Sequence, residues 1–279
     1  MLRVGSRGAG VSFTLGVKTK VRAVKASKNS LQVSINSVVS ESAEVSRNVV
    51  DAFLSRLAKS EAYNLTVEHI LDVPVGAGLG TSGAAALGLA LALNDVFDVG
   101  LSRFEAAQLA HIAEVECKTG LGTVIAETFG GVEIRTKAGA PGIGEVKLLT
   151  IPEKVSVVCL VFGPMSTRKI LSNVESRIRI DECGGRLVDE LIGSPTIPTF
   201  LKLSRRFAEH VGLITHRMRG ILDRADTASL VCSMAMFGES VFTVTEQENV
   251  EPLLQIFHER GSDGKVIVGG VDHEGARLM

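Results

Sequence analysis

The chain has 279 residues, a formal charge of −1, no Trp and a single Tyr, which excludes a basic footprint or an aromatic stacking platform and predicts no nucleic-acid partner. Its length and apolar content can build a real core, as one large domain or two ordinary ones. Mean hydropathy is positive, yet the longest strictly apolar run is about half of the ~20 residues that a membrane helix requires.

The amino terminus, "MLRVGSRGAG", lacks the apolar segment and cleavage site of a signal peptide, so a cytoplasmic location without membrane contact is expected. Val11 to Val39 is rich in Val, Ser and Thr with partial alternation and predicts antiparallel strands. Ala43 to Lys59 spaces Val45, Val49, Phe53 and Leu57 four apart on one helix face. A strand over Leu65 to Leu71 leads through Pro74 into four glycines, Gly76, Gly78, Gly80 and Gly83, and a helix beginning near Ser82. Ser102 and Glu105 form a capping box that opens a helix running to about Glu116. After the glycine turn "CKTGLGTV", the segments "VIAET" and "VEIRT" around Phe129-Gly130-Gly131 read as a hairpin, and Lys137 to Gly144 as a loop.

From Lys154 the pattern changes. A strand "VSVVCLVF", a long helical region broken at "GSPTIP", the helix "LITHRMRGILDRA", a strand near Val241, a helix "VEPLLQIFHER" and a last strand "KVIVGG" complete the chain. The expected division is residues 1–152 and 153–279, with no linker and an extensive shared interface. Cys117, Cys159, Cys183 and Cys232 lack CxxC spacing and read as reduced, buried thiols. The six histidines show no metal-site spacing, so no zinc is expected.

Glycines at Gly76 to Gly83 let the backbone take positive φ and turn several N–H groups toward one point. A helix starting at once adds its unpaired N–H groups and the positive end of its dipole, which makes an anion site, most often for phosphate. The helix itself, "SGAAALGLALAL", is apolar nearly all round and must be buried. A glycine turn that only permits close packing is the plainer alternative. "GLGTSG" also matches a dinucleotide fingerprint, but Pro74 interrupts the strand-to-glycine junction that fold needs. A Walker A loop needs a Lys, and none lies between Lys59 and Lys118.

With Pro74 included, "PVGAGLGTSGAA" resembles the PxxxGLGSSAA motif of the GHMP kinases, the family of galactokinase, homoserine kinase and mevalonate kinase. Three further segments, Gly5 to Val17, Ala113 to Val124 and Ser233 to Phe242, look like the archaeal pantoate kinases within it. The resemblance implies an α+β, two-domain GHMP kinase fold. Its N-terminal domain would be ribosomal protein S5 domain 2-like and its C-terminal domain ferredoxin-like. It also implies ATP and Mg²⁺ as cofactors, pantoate as the small-molecule substrate and 4-phosphopantoate as the product, in coenzyme A biosynthesis; a homodimer is compatible with it. The rival readings are a homoserine- or mevalonate-type kinase, an NAD-dependent oxidoreductase and a non-catalytic relative. The family's first strand and turn have no counterpart ahead of "GSRG", as a misassigned start or an absent part of the substrate floor would produce. The Asp of the family's GxPSGxD motif has no match in "KTGLGTV".

By the resemblance, Pro74, Gly76, Ala77, Gly78, Leu79, Gly80, Thr81, Ser82 and Gly83 hold the ATP phosphates, and Ser82 supplies a hydroxyl to Mg²⁺; a plain N-cap role is compatible with that. Mg²⁺ takes hard oxygen ligands, and Glu116 at the end of the second helix is the expected carboxylate, with Glu114 in reserve and a solvated Glu the alternative. Thr123 would touch the reacting hydroxyl. A pantoate carboxylate calls for Arg, so Arg7 and Arg168 are the candidates, each against a surface role. Gly238 in "MFGES" is the counterpart of the family's third glycine-rich motif and is grouped with the two Arg as substrate-binding.

Overall fold

The structure, a computed structural model, describes residues 1–57, 61–166, 170, 172–261 and 263–279. In the first half, β2 (Val17–Lys25), β5 (Tyr63–Leu71), β3 (Ser30–Ile35) and β4 (Val38–Val39) form one sheet in that order. The expected all-antiparallel arrangement is not what forms: β2 does not pair with β3, because β5 enters between them and runs parallel to β3. A parallel neighbour needs a crossover, and α1 (Glu44–Leu54) lies in it, burying Val49 and Phe53 as its spacing predicts. Leu57 follows the helix end, and the expected end at Lys59 lies outside the described residues.

Helix α2 (Thr81–Val96) packs among α1, β2, α3 (Arg103–Cys117) and α4 (Thr123–Phe129). Ala86, Leu87, Leu89, Ala90 and Leu93 are all solvent-inaccessible, as an all-round apolar sequence requires. The Ser102/Glu105 capping box opens α3. The expected hairpin around Phe129-Gly130-Gly131 is wrong in its first arm: "VIAET" is part of α4 and buries Val124, Ile125 and Thr128, a helical spacing. Its second arm is β6 (Val132–Lys137), which pairs with β1 (Gly8–Val11) and β7 (Glu145–Leu148).

Residues 149–154 have no regular structure, and the expected division at 152/153 falls among them. Beyond lie β8 (Val155–Pro164), α5 (Val174–Gly193), α6 (Ile197–Val211), α7 (His216–Thr227), β9 (Ser233–Met234), β10 (Gly238–Glu246), α8 (Val250–Arg260) and β11 (Lys265–Gly270). Their antiparallel sheet has the order β11-β8-β10-β9. Fourth, first, third, second is the ferredoxin-like order, with α8 and the α5–α7 group as the two helical crossovers. One apolar cluster joins the two halves, combining Val73, Ala77, Val132 and Ile134 with Val157, Phe200, Phe242 and Ile267. The four cysteines are buried and form no disulfide among the described residues, and burial pushes the Cys159 and Cys232 thiols up to about 12. Among the described residues, no helix is long and apolar enough to cross a membrane.

Candidate active site

The loop before α2 is shaped by glycine. Gly76, Gly78 and Gly80 have φ of 75°, 76° and 72°, a left-handed region that costs a side-chain-bearing residue roughly 1 kcal/mol or more. Gly80 is the N-cap of α2, and no side chain caps that helix start. Ser82 is therefore not the cap; it sits one residue inside the helix, and its hydroxyl turns elsewhere. Pro74, Leu79 and Gly83 border the same turn, with Ala77 and Thr81 buried beneath it.

Gly238 closes the loop from the other half. A Cβ there would lie 1.9 Å from the carbonyl carbon and oxygen of Ala77, so only glycine fits. The Ser240 hydroxyl donates to the Ala77 carbonyl (2.8 Å), and the Met165 N–H donates to the Gly76 carbonyl (3.0 Å). Phe237, held at φ 61°, makes the turn that presses Gly238 inward. The structure thus places Gly238 against the glycine loop.

Two carboxylates flank the first turn of α2. Glu114 on α3 is 2 % exposed; its Oε1 accepts from the Ser82 hydroxyl (2.5 Å) and the Thr119 hydroxyl (2.7 Å). Burial raises its pKa above the usual carboxylate range, while those two bonds oppose the rise. Glu127 on α4 keeps part of its surface open, but its Oε2 is closed off from solvent and has no hydrogen-bond partner among the described residues. Burial, and secondarily the charge of Glu114, push its pKa well upward. Thr123, the first residue of α4, lies between them: its methyl group faces Gly80 and Gly83 and its hydroxyl faces Gly120.

Glu116 is elsewhere. It is exposed and lines a surface groove with Asn48, Asp51 and Arg56 of the α1 side. Two residues along a helix turn a side chain by about 200°, which separates it from Glu114.

Beside the second glycine turn lies a basic group that the sequence analysis did not single out. Arg135 on β6 is 12 % exposed and ion-paired with the fully buried Glu133. Its guanidinium fills the spaces that side chains at Gly8 and Gly122 would occupy, and its Nε has no partner among the described residues. The backbone of Ser6 donates to the Leu121 carbonyl (3.0 Å), and the Ser6 hydroxyl borders Gly122 next to Arg135. Burial raises the Glu133 pKa, with Arg135 working against that rise. Arg7, by contrast, is tied to Asp189 of α5, and Arg168 lies outside the described residues. The period of two in "VEIRT" puts Glu133 and Arg135 on one face of the strand, the signal by which the pair could have been found.

The geometry joins a wrapped helix start, a hydroxyl on a buried carboxylate and a buried guanidinium at the far end. The comparisons with known proteins agree with it. Residues 44–131 match the family described as GHMP kinases N terminal domain. A pantoate kinase of Methanocaldococcus jannaschii is 31 % identical over 257 residues, covering 91 % of this chain and 89 % of that protein. A pantoate kinase of Thermococcus kodakarensis is 34 % identical over 263 residues, covering 92 % and 85 %. A solved structure described as a phosphotransferase related to the CoA biosynthesis pathway superposes with a TM-score of 0.84 at 31 % identity, over 98 % of this chain and 90 % of that one. The expected two-domain α+β kinase fold is therefore correct, and the chain belongs to the pantoate kinases of the GHMP kinase family.

Proposed function

We propose that this chain transfers the γ-phosphoryl group of ATP to the terminal hydroxyl of pantoate, giving 4-phosphopantoate for coenzyme A synthesis. The observation that carries the reading is the loop of Gly76, Gly78 and Gly80 folded around the uncapped start of α2, with the Ser82 hydroxyl on Glu114. Phosphoryl transfer is chiefly positioning and charge neutralisation, and each part has a candidate here. Backbone N–H groups of Gly76 to Gly83 receive the phosphates.

The hard oxygens of Ser82 and Glu114 suit Mg²⁺, which when bound neutralises charge on the phosphate oxygens. Among the described residues no group of three or more acidic, His or Cys side chains could hold a metal, consistent with an ion that arrives on the nucleotide. Arg135, with its unsatisfied Nε and the Ser6 hydroxyl beside it, is suited to a carboxylate such as pantoate's. Thr123, between the two glycine turns, is the residue we assign to contact the reacting hydroxyl. Four buried cysteines without a disulfide among the described residues suit a reducing cytosol, where we place the reaction.

The test is ADP release with ATP, Mg²⁺ and pantoate, homoserine or mevalonate in turn. Turnover with pantoate alone is expected, falling on the order of 100-fold in Ser82→Ala. Preference for homoserine or mevalonate would move the substrate assignment, and ATP binding without turnover on any of the three would defeat the kinase reading.

A further inference from the structure

The kinase reading leaves one half-buried acid without a task. Glu127 lies across the first turn of α2: its Oε1 is 2.5 Å from where a Cβ of Gly80 would sit, and its Oε2 is 2.9 Å from that of Gly83. Glycine at both positions is what admits the carboxylate so close to the phosphate loop. No basic side chain pairs with it among the described residues, and its Oε2 has no donor.

A sealed carboxylate oxygen without a donor is expensive, and a second acid, Glu114, acts on Glu127 electrostatically. Bringing a triphosphate to this helix start adds further negative charge beside both acids. The charges balance when a cation lies among them. Thr123, which faces the same two glycines from the start of α4, offers no charge there. Glu127 is one helical turn further along α4, next to the Thr123 methyl group, so its carboxylate returns a charge to the same space.

We propose that Glu127 is the second carboxylate of the divalent-cation site, completing with Ser82 and Glu114 the oxygen set that receives the metal of the bound nucleotide. The inference rests on the kinase reading and assigns a residue to the same site. Three protein oxygens, with phosphate oxygens and water making up the rest, are within the habit of Mg²⁺, which commonly uses one or two carboxylates beside substrate phosphates.

The experiment uses the full chain and Mn²⁺, whose binding is followed by electron paramagnetic resonance in the presence of a non-hydrolysable ATP analogue. Glu127→Gln, which keeps the shape and removes the charge, should raise the Mn²⁺ dissociation constant about tenfold or more without weakening metal-free binding of the analogue. Glu116→Gln, on the opposite face of α3, should leave the constant unchanged. A Mn²⁺ constant that Glu127→Gln moves by less than about twofold overturns the inference while leaving the kinase reading intact. Wild-type protein that binds the analogue with no Mn²⁺ at all overturns both. Because a folding defect in the variant could mimic a lost ligand, a wild-type crystal with Mn²⁺ and the analogue gives a second test. Anomalous scattering should place the metal within ligand distance, about 2.1 to 2.3 Å, of a Glu127 oxygen; a metal bound by Ser82 and Glu114 but beyond reach of Glu127 refutes the proposal.

Discussion

A methyl group at position 238 would meet the Ala77 carbonyl at 1.9 Å, a contact that backbone cannot relieve without moving the loop. Gly238→Ala should therefore raise KM for ATP about tenfold or more and cost roughly 1 to 3 kcal/mol of stability, the range for overpacking a tight site. Gly220→Ala is the contrast, since the interior of α7 is open around that Cβ; it should gain up to about 1 kcal/mol. Kinetics and thermal melts on the two variants separate close approach from glycine content as such. The same residues show what could be read from the chain. Glycines that need positive φ and a helix that starts at once are local features, so the glycine loop was legible as sequence. Choosing between Glu114 and Glu116 required the phase of α3. Ala107, Ala110, Glu114 and Cys117, all buried, mark its inner stripe at helical spacing, and that stripe selects Glu114. Glu127 was hidden differently, because its placement depends on α4, which was expected to be a strand.

Helix α4 is seven residues long, too short to hold itself in water, and its β-branched and aromatic content favours extended chain. What holds it is tertiary. Arg103 donates to the Thr128 carbonyl (2.6 Å), and the carboxyl-terminal segment returns to donate the Ala276 N–H to the Glu127 carbonyl (2.9 Å) and to accept the Gly131 N–H at Asp272 (2.7 Å). Gly130 and Gly275 meet there so closely that a Cβ at either would lie 2.6 Å from the other's surroundings. Contacts 25 to 149 residues apart in sequence are invisible to any local window, which is why "VIAET" read as extended. Deleting residues 272–279 should loosen α4 first. Hydrogen exchange of the amides of residues 124–131 is expected to speed up about tenfold or more, with the β2–β5 ladder unchanged. Equal acceleration in both places would mean that the terminal segment supports the whole first half rather than this helix.

The apolar cluster shared by the two halves should make the protein unfold as one unit, and a buried histidine outside that cluster provides the means to test it. His69 on β5 is 2 % exposed, with Nδ1 against the Thr19 hydroxyl (2.9 Å) and Nε2 against the Ser46 hydroxyl (3.0 Å). Burial lowers its pKa from 6.5 to about 4. Because the unfolded chain then binds the proton more readily than the folded one, His69 contributes fully above pH 6.5 and its contribution is lost as pH falls toward 4. The loss amounts to roughly 3 kcal/mol. Glu114, Glu127 and Glu133 act in the opposite direction: their raised pKa values mean that the folded state takes up protons first as pH falls. Total stability against pH thus mixes the two signs, but the difference between wild type and His69→Gln isolates the histidine. That variant should be less stable at pH 7 and should lose less between pH 6.5 and 4. Tyr63 is the only tyrosine and there is no Trp, so its fluorescence, beside Phe97 in the first half, reports that half alone, while far-ultraviolet circular dichroism reports both. If the halves are coupled, the two probes give one transition, and acid lowers both midpoints together. A Tyr63 midpoint that falls with pH while part of the dichroism transition stays in place would show that the shared cluster does not join the halves into one cooperative unit.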